Sequence, residues 1–163
     1  GPQRLPRATP VELAGRRRVI YDFLENIERA TSSQKRLPSV GLAVDHGFTP
    51  RRVIQIPLKP RLSTLTFDEV PLNGSLYGHA VITAHDYRAS NYDEGGPVRL
   101  CIYVDDKKVM AMSISNFDPP RRFEVALTGG GEGQVVFEVE ADGAVNRSLG
   151  LAADVRAPGD HAR

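Results

Sequence analysis

From Ser39 to near the C-terminus, apolar residues recur at every second position, in runs of seven to twelve residues separated by turn-forming clusters. A period of two puts alternate side chains on opposite faces of an extended chain, whereas a helix repeats its apolar positions at three and four. The runs cover 40–46, 52–58, 62–70, 76–87, 98–104, 108–114, 122–128, 134–140 and 148–155. Between them stand Asn73–Gly74, the cluster 93–97, the segment 118–120, the glycines 129–131 and Asp142–Gly143. Short strands at this spacing, with no helical pattern between them, argue against a parallel α/β sheet and predict an all-β antiparallel sandwich.

The faces can be assigned. Val98, Leu100, Ile102 and Val104 share one face of a strand, with Arg99 and Tyr103 opposite; Val135, Phe137 and Val139 share one face of another, with Glu138 and Glu140 opposite. Such alternation describes a two-sheet core with a wet outer surface. Asp105–Asp106 sits where 98–104 should turn back into 108–114. Cys101, the single cysteine, excludes an internal disulfide and a thiolate metal cluster, and its apolar neighbours predict a buried, inert thiol.

The segment before Ser39 has a different period. Thr9–Pro10–Val11–Glu12 fits a capping box with Pro at the first helical position, and Leu13, Ile20, Phe23, Leu24 and Ile27 follow at helical spacing. A helix over 9–31 is predicted, docked by its apolar stripe on its own chain rather than on a neighbour, with Arg16, Arg17 and Arg18 facing outward. The strands at 40–46 and 52–58 either extend a sheet or cover that helix.

At 163 residues there is room for one ordinary domain, or for a small domain plus an appended segment. The expected division is a basic N-terminal part, 1–61, packed on a sandwich at 62–156, with a flexible tail at 157–163. No apolar run approaches the ~20 residues of a helical membrane span. Gly1–Pro2 without a methionine suggests the remnant of a removed tag, and hence part of a longer chain, cytoplasmic or exported.

From Leu62 to Arg156 the motifs come in a telling order: GHAVITAHD at 78–86, VRLCIYVDDKKV at 98–109, FEVAL at 123–127, and GQVVFEVEADGAVNRSLGLAADV at 133–155. This order resembles a bacterial immunoglobulin-like domain, departing from it where Asp106 replaces the usual Gly and where Ala144–Val145 precede Asn146. Together with the missing catalytic motifs, the resemblance implies a non-catalytic accessory or interaction module of a larger bacterial protein. Its ligand would be a protein partner or neighbouring domain first, a glycan second.

Chemistry-bearing patterns are sparse. No nucleophile elbow, zincin helix or phosphate loop occurs, and the run TGGGEG at 128–133 leads into a strand, which reads as a hairpin loop. An enzyme would have to assemble a metal site from His46, His79, His85 and Asp86, although surface histidines are the plainer reading. The loop 86–96 carries Asp86, Asn91, Asp93 and Glu94, hard oxygen donors that could hold calcium, although a polar loop with Asx turns explains them as well. Tyr87 and Tyr92 flank that loop and are the favoured rings for stacking a sugar, ahead of Tyr77 and Tyr103. Asn73 and Asn146 begin matches to glycosylation acceptors of a kind frequent by chance.

Net charge of +1 conceals a split. Residues 1–61 hold 12 Lys and Arg against 5 Asp and Glu, and the rest hold 9 against 15. The basic part suits packing against the acidic sandwich, or contact through Arg16, Arg17, Arg18, Arg51 and Arg52 with a partner protein or a second copy. Nucleic acid is the weakest of these partners, because no reading motif accompanies the arginines.

Overall fold

The computed structural model describes residues 17–44, 49–59, 61–84, 95–141 and 147–159. Their strands are β1 (Val19–Asp22), β2 (Thr31–Ser32), β3 (Ser39–Val44), β4 (Pro50–Pro57), β5 (Leu62–Pro71), β6 (Gly74–Ala84), β7 (Val98–Val104), β8 (Lys107–Ile114), β9 (Arg121–Leu127), β10 (Glu132–Glu140) and β11 (Arg147–Arg156). A front sheet has the order β3-β4-β11-β6-β9, with β1 also paired to β11; a back sheet has the order β2-β5-β10-β7-β8. Every pairing is antiparallel. The predicted two-sheet antiparallel sandwich is what the chain forms, and β3 and β4 extend the front sheet.

The interior follows the alternation. Ile54, Ile56, Leu76, Ala80, Ile82, Leu149 and Leu151 point in from the front sheet, and Leu65, Phe67, Leu100, Ile102, Val135 and Phe137 from the back. Cys101 is buried. Asp105 and Asp106 both take left-handed backbone angles, with φ of 47° and 66°, as a two-residue turn between twisted strands requires.

The helix expected over 9–31 does not appear among the described residues, and positions 9–16 lie outside them. Val19 and Tyr21, a β-branched residue and an aromatic, pair with β11 instead, with Ile20 at a register irregularity between them. The Leu24 amide then donates to the Asp22 carboxylate at 2.8 Å, closing an Asx turn, and only a single 3₁₀ turn follows at Ile27–Arg29. The apolar spacing of Ile20, Phe23, Leu24 and Ile27 therefore comes from a strand running into a tight turn. Phe23 is fully buried, edge-on to Phe67 at 4.8 Å and to Phe137 at 5.1 Å.

The glycine run at 128–133 is a second correction. β9 belongs to the front sheet and β10 to the back, so the run is a crossover, not a hairpin. Gly130 and Gly131, at φ of 62° and 64°, let it fold onto the β5–β6 crossover, where the Gly130 amide donates to the Leu72 carbonyl and the Leu72 amide to that of Gly131. Only β3–β4 and β7–β8 pair with their chain neighbours; every other link passes between sheets.

Candidate functional site

Alternation on β6 places Tyr77, His79, Val81 and Thr83 on the outer face of the front sheet, and on β11 it places Ser148, Gly150, Ala152, Asp154 and Arg156 there. This face is not uniformly wet. Val53 and Val81 are fully buried on it, and a Cβ at Gly150 would lie 3.1 Å from a Val53 methyl and 3.4 Å from a Thr83 methyl. The missing side chain lets its neighbours lean together.

Towards the other end of β11 the face opens into a cleft of about 230 Å³, lined by Asp22, Tyr77, His79, Asp154 and Arg156 over the backbone of Gly78 and Ala153. Three strands converge to build it. Asp22 of β1 and Tyr77 of β6 are the two cross-strand partners of Asp154. Gly78 permits the close approach of β6 and β11, since a Cβ there would stand 2.3 Å from the Ala152 carbonyl oxygen.

The polar groups hold one another in place. Arg156 Nε donates to Asp154 Oδ1 at 2.6 Å and Nη2 to Oδ2 at 3.0 Å, a forked pair. Arg156 Nη1 also donates to the Arg17 carbonyl at 3.2 Å, and the guanidinium lies 5.0 Å from the centre of the Tyr77 ring. Asp22 spends one oxygen on the Leu24 amide. The cleft thus presents an aromatic edge, a fixed guanidinium and two carboxylates, a set that can both donate to and accept from vicinal hydroxyls.

Burial tunes the titratable members. It raises the Asp154 carboxyl above the usual range; the hydrogen bond and charge of Arg156 oppose the shift, and nearby Asp22 adds to it. His79 is pushed below the ordinary histidine value, by burial first and then by Arg51 and Arg122. Its Nε2 is buried without a hydrogen-bond partner. A neutral imidazole is the expected form at pH 7.

The opposite end of β11 carries a buried cation, Arg147, which is 3% exposed. Its Nη1 donates to the Gly96 carbonyl and to the Asn116 side-chain oxygen. These bonds tie the entry to β7 and the β8–β9 link to the start of β11.

Tyr87, Tyr92, Asp86, Asn91, Asp93 and Glu94, with His46 and His85, lie outside the described residues, as does Arg16. Arg17 and Arg18 are not on a helix: the Arg18 carbonyl accepts from Ala157, beside the β1–β11 pairing. Arg51 and Arg52, consecutive on β4, point to opposite faces of the sheet. Among the described residues, no three His, Cys, Asp or Glu side chains gather as a metal ion would need. Asp22, Asp154 and Arg156 were missed as site members. Asp154 and Arg156, at i and i+2 on one strand, share a face and were accessible to sequence reasoning; Asp22 joins them only through the β1–β11 pairing.

No protein-family model and no curated protein matches the chain. Solved structures do match its fold. The M60 catalytic domain with the CBM51-1 and CBM51-2 domains of Clostridium perfringens ZmpB aligns with a TM-score of 0.58 at 14% identity, over 85% of this chain and 15% of that one. The CBM51-2 and INT domains of the same protein align at 0.56 and 12% identity, over 80% of this chain and 30% of that one. The CBM51 of C. perfringens GH95, in complex with methyl-galactose, aligns at 0.53 and 11% identity, over 85% of this chain and 100% of that one. At such identities the likeness establishes a shared two-sheet sandwich. This chain spans less than a third of the two ZmpB structures.

Proposed function

We propose that this chain is a non-catalytic carbohydrate-binding module of a larger protein, and that it seats a single sugar residue in the Tyr77–Asp154–Arg156 cleft. The glycan reading takes precedence over a protein-partner module. The observation that carries it is the coincidence of the sandwich with the full length of a CBM51, a carbohydrate-binding module seen with methyl-galactose. The cleft supports it chemically. Its space of about 230 Å³ falls short of the ~300–1,000 Å³ of drug-sized sites, which suits one sugar ring better than a chain. Asp22 and Asp154 would accept from sugar hydroxyls, Arg156 would donate, and the free part of the Tyr77 ring would take an apolar C–H face.

A glycan array followed by calorimetry with methyl-galactoside and N-acetylglucosamine tests the reading. Binding to a neutral sugar is expected, lost on Tyr77→Ala and at least tenfold weaker on Asp154→Asn, with the melting temperature held within a few degrees. An array with no hits would overturn it. Retained binding in both cleft variants, with loss on Tyr87→Ala or Tyr92→Ala, would move the site to the 86–96 loop.

A further inference from the structure

The most cationic stretch of the described residues is not in the cleft. Between Ala30 and Lys59 the described residues include Lys35, Arg36, Arg51, Arg52 and Lys59 and no Asp or Glu. Lys35 and Arg36 flank an open trough of about 430 Å³ between the segment 34–38 and the β3–β4 hairpin, whose walls include Leu37, Ser39, Gln55 and Pro57. Lys35 and Arg36 are exposed, and no carboxylate among the described residues pairs with either.

The trough is rigid on its inner side. The Gln34 side chain donates to the Ser63 hydroxyl at 2.7 Å and to the Pro57 carbonyl at 3.3 Å, and the Gln34 backbone N–H donates to the Ser32 hydroxyl at 3.0 Å. The Thr64 amide donates to the Ser33 hydroxyl at 2.9 Å, and Pro38 is buried. Lys35 and Arg36 therefore project from a segment sewn to β4 and β5, and little backbone order must be gained on binding. On the wall, the Ser39 hydroxyl and the Gln55 side chain share an exposed 3.3 Å hydrogen bond that a ligand hydroxyl could replace. Leu37, 40% exposed, and Pro57 add an apolar strip.

We propose that this trough is a second binding site, for an acidic polysaccharide bearing carboxylate or sulfate groups, separate from the cleft at Tyr77 and Asp154. Two unpaired cations meet the anionic groups, the amide and hydroxyl meet ring hydroxyls, and Leu37 with Pro57 meets the C–H face. A nucleic acid would find the same cations, but among the described residues no aromatic ring lines the trough to stack its bases. The choice of a saccharide rests on the carbohydrate-binding reading; the trough and its charge do not.

The test is affinity electrophoresis and calorimetry of the whole chain with polygalacturonate, dextran sulfate, neutral dextran and a single-stranded oligonucleotide. Retardation by one or both acidic polymers and not by neutral dextran is expected, weakening steeply as salt rises. The double variant Lys35→Glu/Arg36→Glu should lose at least tenfold in affinity with unchanged melting, and Gln55→Ala a smaller factor. Tyr77→Ala should leave acidic-polymer binding intact, so the two sites can fail independently. Absence of retardation, equal retardation of the double variant, or an oligonucleotide bound as tightly as the polymers would each overturn the proposal.

Discussion

The outer faces of the two sheets were written with the same alternation and folded to different ends. On the back sheet, Thr64, Thr66 and Tyr103 are half-buried and Arg99 and Glu140 exposed, with the small Cys101 buried among them. On the front sheet, Val53, Val81, Thr83 and Ser148 are buried, His79 has an unpartnered ring nitrogen, and two titratable groups are shifted by burial. Alternation distinguishes in from out; it does not say that out is wet. Among the described residues the Tyr77 cleft and the trough at Lys35 lie on or beside the front sheet, and perturbed groups mark the cleft.

The strongest blow strikes the interior that both sheets share. Phe23→Asp should cost roughly 4 kcal/mol or more by replacing a fully buried ring with an unpaired charge, enough to unfold much of the population in urea titrations. Unchanged melting, with loss of a dimer, would mean that the 19–29 segment serves assembly. A matched pair then tests the two outer faces directly. Val81→Asp on the front should destabilise by about 3 kcal/mol, whereas Thr66→Asp on the back should cost under about 1 kcal/mol. Similar losses for both would erase the contrast.

A gentler probe uses pH. Because the folded-state pKa of His79 lies below the ordinary value, its neutral form stabilises the fold above about pH 6.5, and that contribution is lost as the pH falls through the folded-state pKa. The melting temperature should drop between pH 7 and pH 5, and His79→Gln should flatten part of that drop. An identical slope in the variant would show that the other histidines account for it. Smallest is Asp106→Gly in the β7–β8 turn, expected to add about 0.5 kcal/mol by relieving a left-handed backbone at φ 66°. A loss would mean the Asp side chain contributes more than the strain costs.

Nine strands from β3 to β11 were legible because each carries its own period and its own turn residues. The sheet order was not, since nothing in TGGGEG says whether the next strand pairs with the last or crosses to the other sheet. The segment 19–29 misled for a related reason: a four-residue strand followed by an Asx turn reproduces helical spacing at Ile20, Phe23, Leu24 and Ile27. The cleft was half visible. Tyr77 and His79 could be named as a ring and a histidine on one strand, but Asp22 reaches Asp154 only across the sheet, a pairing between the two ends of the described chain. The immunoglobulin-like resemblance conveyed the sandwich at the coarse level that the structure supports, and of the arginines singled out, Arg51 and Arg52 alternate across β4.

Because only two links are hairpins, nearly every strand must find a partner that synthesis or collapse has not placed beside it. The extreme case is β1, whose Val19 lies opposite Arg156. Loop closure across such separations precedes any reward in buried surface, so refolding belongs on the millisecond-to-second scale of non-local β proteins. Phe23 enters the core directly after β1, so a refolding chain keeps a gap beside Phe67 and Phe137 until β11 has formed its own partners and can receive that last strand.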